Sequence, residues 1–139
     1  MTIAVIGVGL IGGSMAIGLK ENAIAKKVIG VVTDTDNLAK ALQLNIIDEA
    51  LPLHDAVKQA DIIYIAIPVD ATVEVALHVL NMITEKQVVI DAGSTKLTLC
   101  QAVKNHPMRK QFVASHPMWG TEFSGPQAAV SGAFAGRAC

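Results

Sequence analysis

The run Thr2-Ile3-Ala4-Val5-Ile6-Gly7-Val8-Gly9-Leu10-Ile11-Gly12 decides how the rest of the chain is read. A short β-branched stretch at Ile3–Ile6 leads straight into glycines at 7, 9 and 12, and residues of helical period follow from Leu10 to Glu21. Strand, tight turn and helix in that order are the setting in which this glycine spacing cradles a dinucleotide pyrophosphate. Gly7 permits the turn, Gly9 lets backbone approach a phosphate with no Cβ in the way, and Gly12 lets the helix lie close to the strand. Free N–H groups at the helix start, around Leu10 and Ile11, then hold the anion together with the helix dipole. The plainer alternative is that the three glycines only make a tight turn; the strand and helix on either side favour the first reading.

Working outward, β-branched runs alternate with stretches of helical period, the pattern of successive βαβ units with right-handed crossovers. Strands are expected at Ile3–Ile6, Val28–Val32, Ile62–Ile67, Val88–Ile90 and Phe112–Ala114. Helices are expected at Leu10–Glu21, Asn37–Leu44, Leu53–Gln59, Ala71–Met82 and from Thr95 to about Lys104, the first presenting Ile11, Met15 and Leu19 to the sheet. Pro68 lacks the N–H that a central strand needs, so it marks the end of the third strand. The fold class that follows is α/β, a Rossmann-type doubly wound and mostly parallel sheet with helices on both faces. At 139 residues there is length for one such domain, 1–139, and not for a second substrate-binding one.

Composition agrees with a buried parallel sheet: 52% of residues are apolar and only 4% aromatic, so Val, Ile, Leu, Ala and Met must build the core. The formal charge of −1, with Lys and Arg scattered along the chain, leaves no electrostatic footprint for nucleic acid or an anionic membrane. Cys100 and Cys139 stand far apart, which argues against a disulfide framework or a clustered metal site. The N-terminus has no basic leader and its apolar run breaks at glycine, so a cytoplasmic protein is expected.

In an open α/β sheet, ligands collect outside the carboxyl ends of the strands. After the second strand come Val32, Thr33 and Asp34. An acid at the end of that strand hydrogen-bonds the adenosine ribose of NAD; here Val32 holds the expected place, and Asp34 either substitutes for the acid or caps the next helix. With no Lys or Arg beside it to hold a phosphate, NAD is preferred and NADP is left open. Ile67 and Pro68 follow the third strand. Ser94, in Asp91-Ala92-Gly93-Ser94-Thr95-Lys96, is either a helix cap or a hydroxyl beside the nicotinamide. The tripeptide His-Pro-Met occurs twice, at His106 and at His116. His106 reads as a solvated surface residue, whereas His116 directly follows an apolar strand at the ligand edge. Imidazoles can accept a proton or hydrogen bond from a hydroxyl as hydride departs. A role for His116 as a merely hydrogen-bonded turn residue stays open at this point.

Gly7-Val8-Gly9-Leu10-Ile11-Gly12-Gly13-Ser14, Ala66-Ile67-Pro68-Val69, Asp91-Ala92-Gly93-Ser94-Thr95-Lys96 and His116-Pro117-Met118-Trp119-Gly120-Thr121-Glu122 occur in that order across almost the whole chain. In this the chain resembles the N-terminal domain of the prephenate/arogenate dehydrogenase family. The resemblance implies oxidative decarboxylation of prephenate or arogenate, with His116 as the catalytic histidine on the ring hydroxyl. It also implies Ser94 as the serine that positions histidine and nicotinamide, and Thr121 and Glu122 as residues lining or gating the substrate pocket. It implies further a helical C-terminal domain that makes the whole protein a homodimer and supplies an arginine for the substrate carboxylates. That domain lies outside this sequence, and Lys96 is the one cation in the ligand-edge segments. The chain by itself is therefore expected to bind dinucleotide with little turnover, and to self-associate through apolar surface. Two other readings remain at this level: another Rossmann oxidoreductase, such as a hydroxyacid dehydrogenase or imine reductase, and a non-catalytic dinucleotide-binding module.

Overall fold

A computed structural model describes all residues from Met1 to Cys139. The elements in chain order are β1 (Thr2–Ile6), α1 (Leu10–Glu21), β2 (Lys27–Val31), α2 (Thr35–Gln43), β3 (Glu49–Ala50), α3 (Leu53–Gln59), β4 (Ile62–Ile65), α4 (Val69–Leu80), β5 (Val88–Asp91), α5 (Leu97–Val103) and β6 (Phe112–Ala114). Single 3₁₀ turns at Arg109–Gln111 and Pro126–Ala128 complete the regular structure. Every strand pairing is parallel, in the order β3-β2-β1-β4-β5-β6. This is the doubly wound sheet expected, and its order reverses between β1 and β4, where such sheets open a ligand crevice.

Alternation along the strands divides the core into two layers. Ala4, Ile6, Ile63, Ile65 and Val89 face α3, α4 and α5, whereas Ile3, Val5, Val28 and Tyr64 face α1 and α2. Both faces therefore carry helices, which is why these strands read as nearly continuous apolar runs. No helix is long and apolar enough to cross a membrane.

Several boundaries differ from those read off the sequence, each for a local reason. β3 has no counterpart among the expected strands: two residues without a β-branched run form a strand only because β2 offers Ile29 and Gly30 as partners. β4 stops at Ile65 rather than Ile67, and α4 begins at Val69 rather than Ala71, because Pro68 already serves as its N-cap residue. α2 begins at Thr35 rather than Asn37, since Asp34 caps it. α5 begins at Leu97 rather than Thr95, with Lys96 at the N-cap, so neither Ser94 nor Thr95 caps it.

The stripe expected on α1 packs against the sheet but is not the most buried part of the helix. Its fully buried residues are Gly12, Gly13, Ser14 and Ala16, with Ile11, Met15 and Leu19 only half-buried. Small side chains let the helix axis approach the sheet, and the larger ones pack against the same core. A Cβ on Gly12 would overlap the Gly7 carbonyl oxygen. A Cβ on Gly13 would come within 2.8 Å of the Ala129 Cβ, and the Ser14 hydroxyl accepts a 3.0 Å hydrogen bond from the Val130 N–H. Residues 129 and 130 are thereby fastened onto the first helix.

On the same face as α1, Ile62, Tyr64, Ile90 and Val113 line an almost wholly apolar groove of about 300 Å³. The Tyr64 hydroxyl is buried there without a hydrogen-bond partner. Burial foremost, then nearby Cys139 and Asp91, pushes its pKa well above that of a free phenol.

Candidate functional site

The loops at the carboxyl ends of the strands enclose two adjoining cavities that share Ala66, Ile67 and Pro68. The larger, of about 640 Å³, lies over the glycine loop and the end of β2, and Gly7, Gly9, Val32, Thr33 and Asp34 line it. The smaller, of about 340 Å³, is lined by Leu10, Ile11, Ser94, His116 and Thr121. The shared wall sits at the switch point between β1 and β4, so the two cavities form one trough across the sheet edge.

The glycine loop separates the demands of folding from those of a ligand. Gly7 has φ +89° and a Cβ there would strike the Ala66 carbonyl, so both conformation and packing require glycine. Gly9 is different: its φ is −102°, which any residue adopts, and a Cβ on it would meet nothing within 4 Å. Nothing in the protein asks for glycine at that place, and it opens into the larger cavity. No side chain caps α1, and the N–H groups of Leu10, Ile11 and Gly12 have no acceptor within the chain. Open space above unpartnered donors at a helix N-terminus suits an anionic group.

Beyond the end of β2, Asp34 is committed to the fold. Its Oδ1 accepts from the Asp36 and Asn37 N–H groups at 2.9 and 3.2 Å, and its Oδ2 accepts from Asn37 Nδ2 at 3.0 Å. The cap reading of Asp34 therefore holds, while the carboxylate still lines the cavity beside Val32 and Thr33. Asn37, Ala71 and Val75 also line it and were not singled out in the sequence. Asn37 carried a usable signal, being the first-turn residue of the helix that follows β2. Neither cavity has a Lys or Arg in its lining.

In the smaller cavity Ser94 and His116 come together although 22 positions separate them in the chain. The exposed Ser94 is no helix cap, which removes the plainer explanation for it. His116 is half-buried, follows β6 and is held by Pro117 and by the 2.9 Å bond from the Met118 N–H to the Ala138 carbonyl. Trp119 lies on the same cavity wall and stacks edge-on against Phe134, with ring centroids 5.7 Å apart. Glu122 is exposed and lines neither cavity.

Lys96 is not free to meet a ligand, contrary to its place as the one available cation. Its Nζ pairs with the carboxylate of Asp91, which is fully buried at the end of β5. His106 is likewise not simply solvated: it sits between Asn81 Oδ1 at 3.1 Å and the Met108 N–H at 3.1 Å.

Fold and site together define the class, a dinucleotide-binding α/β domain with a hydroxyl and an imidazole at the far end of the ligand trough. Residues 15–139 match the family model described as prephenate dehydrogenase, nucleotide-binding domain, and the chain belongs to that family. It is 38% identical over 131 residues to a prephenate dehydrogenase of Bacillus subtilis, covering 92% of this chain and 35% of that protein. It is 33% identical over 138 residues to a cyclohexadienyl dehydrogenase of Zymomonas mobilis, covering 95% of this chain and 45% of that one. Among solved structures, a prephenate dehydrogenase from A. aeolicus in complex with hydroxyphenyl propionate and NAD+ superposes with a TM-score of 0.88. That match has 30% identity and covers 99% of this chain and 48% of the other. The Synechocystis arogenate dehydrogenase gives 0.86 at 26% identity, covering 99% of this chain and 48% of that one. The chain thus spans between about a third and a half of the length of these relatives. An (S)-3-hydroxybutyryl-CoA dehydrogenase from Ralstonia eutropha, at 15% identity and a TM-score of 0.61, shares the fold alone.

Proposed function

We propose that this chain forms the NAD-binding half of a cytoplasmic enzyme that oxidises prephenate or arogenate with loss of carbon dioxide. Gly9 carries the proposal: a glycine that neither conformation nor packing requires, facing open space beside unpartnered helix N–H groups. Its role in this reading is to admit the pyrophosphate. The adenosine half then fills the larger cavity against Val32, Thr33 and Asp34, and Ile67 and Pro68 form the wall between the halves. A carboxylate without a neighbouring cation repels a 2′-phosphate, so NAD is favoured over NADP.

The nicotinamide end falls beside Ser94 and His116, and bound NAD supplies the hydride acceptor. The His116 imidazole accepts a hydrogen bond from the ring hydroxyl and takes its proton as the carbonyl forms. Ser94 holds the imidazole and the nicotinamide in register, and Thr121 lines the substrate side. Glu122, the next residue, gates that side of the pocket. Much of the driving force comes from aromatisation of the ring, so the protein's task is alignment and polarisation of one hydroxyl.

No cation lines the smaller cavity, so the carboxylates of a dianionic substrate need a group from outside this chain, as from a dimer-forming second domain. The isolated chain is therefore expected to bind NAD and to show no appreciable prephenate-dependent reduction of it. Calorimetric titration of the purified chain with NAD and NADP tests the reading. Saturable binding of NAD, with NADP at least tenfold weaker, is the expected result; a folded chain that binds neither overturns it.

A further inference from the structure

We propose that Asp91 is a positioning residue that sets Ser94 against His116 by fastening both of their loops, with Lys96 as its counter-ion; this rests on the functional reading of those two residues. Asp91 ends β5 and is fully buried, yet it carries a carboxylate. One oxygen, Oδ1, accepts the Gly93 N–H at 2.9 Å, and the other pairs with Lys96 Nζ. Both bonds lie on either side of Ser94, so the loop is drawn around it. The main-chain carbonyl of the same residue accepts from the Ser115 N–H at 2.9 Å and from the Ser115 hydroxyl at 2.7 Å. Ser115 immediately precedes His116. One residue thereby ties the serine loop through its side chain and the histidine loop through its backbone.

Gly93 fits this arrangement, because a Cβ there would stand 3.2 Å from the Asp91 Oδ1. Buried ion pairs contribute little net stability, since desolvation of both charges offsets their attraction. A well-packed apolar pair would hold the fold as well, whereas only directional bonds hold a loop in one geometry.

The test uses amide and imidazole NMR spectra of the wild-type chain and of Lys96→Met, Lys96→Arg and Ser115→Ala, without ligand. Lys96→Met is expected to move the resonances of Gly93–Thr95 and also those of His116, and Lys96→Arg to return both toward wild type. Ser115→Ala, which removes a single hydrogen bond and keeps the fold intact, is expected to move His116 and the Gly93 amide together. Shifts confined to the loop that carries the substitution, with the other unmoved, overturn the proposal. A second arm compares NAD with ADP-ribose, which lacks the nicotinamide. Lys96→Met is expected to weaken NAD about tenfold and leave ADP-ribose unchanged, and equal losses for both overturn a positioning role. If the wild-type chain binds neither compound, the functional reading fails, and the spectra still decide whether the two loops are coupled.

Discussion

Gly9 and Gly7 stand two positions apart and answer to different causes. Gly7 is held by a positive φ and by the Ala66 carbonyl, so any side chain there costs folding free energy. Gly9 has neither constraint. Gly9→Ala is therefore expected to leave the melting temperature within a degree or two of wild type while weakening NAD binding at least tenfold. Thermal denaturation alongside calorimetry separates the two effects, and a variant that binds NAD normally would remove Gly9 from the pyrophosphate site. Charge at single residues is also legible in pH dependence. Burial acts to raise the pKa of Asp48, but the Lys20 ammonium at 2.6 Å, the Val28 N–H at 2.7 Å and Lys27 outweigh it, and the pKa falls below the ordinary carboxylate value. A lowered folded-state pKa means stability that is present above the unfolded-state value and lost as pH falls through the folded one. Asp48→Asn should thus be less stable than wild type at neutral pH, with the gap closing below about pH 4. Urea denaturation across that range checks it.

At the scale of elements, α1 does two jobs with one surface. Its first turn faces the trough, while Gly13 and Ser14 receive the segment at Ala129 and Val130. That contact spans 116 residues of sequence and holds the chain that follows the His116 loop. Ser14→Ala removes the hydrogen-bond partner of the Val130 N–H and should cost about 1 kcal/mol. Gly13→Val should cost more, about 2–3 kcal/mol, because the Ala129 methyl already fills the space. Chemical denaturation measures both, and equal stability of Ser14→Ala and wild type would show that the tether contributes nothing. Strand ends illustrate a second point about elements. Pro68 bars β4 from continuing, yet the strand already ends at Ile65, and the extent of α4 depends on Pro68 acting as its N-cap, a role that a missing N–H permits without specifying.

The whole molecule is a two-faced sheet with one face incompletely dressed. α3, α4 and α5 cover one side, whereas over β4, β5 and β6 the other side leaves the apolar groove at Tyr64 and Ile90. Val113, 47% exposed, lines the same groove, and apolar surface of this kind favours association. The isolated chain is accordingly expected to self-associate with rising concentration, and a single monomeric species by sedimentation velocity over a hundredfold range would contradict this. At this scale the division between sequence and structure is clear. Strand runs, the alternation of strand and helix, the glycine loop and the candidate residues Ser94 and His116 were all legible along the chain, because periodicity and turn chemistry are local properties. Only the tertiary structure decided that Glu49–Ala50 is a strand, that Asp34 caps α2, and that the small residues of α1 are its fully buried ones while the larger stripe is half-buried. It alone also showed that Lys96 is taken up by Asp91, and that Asp91 joins the loops of Ser94 and His116. Each of these depends on which distant group completes a hydrogen bond or fills a space, and a linear sequence does not carry that information.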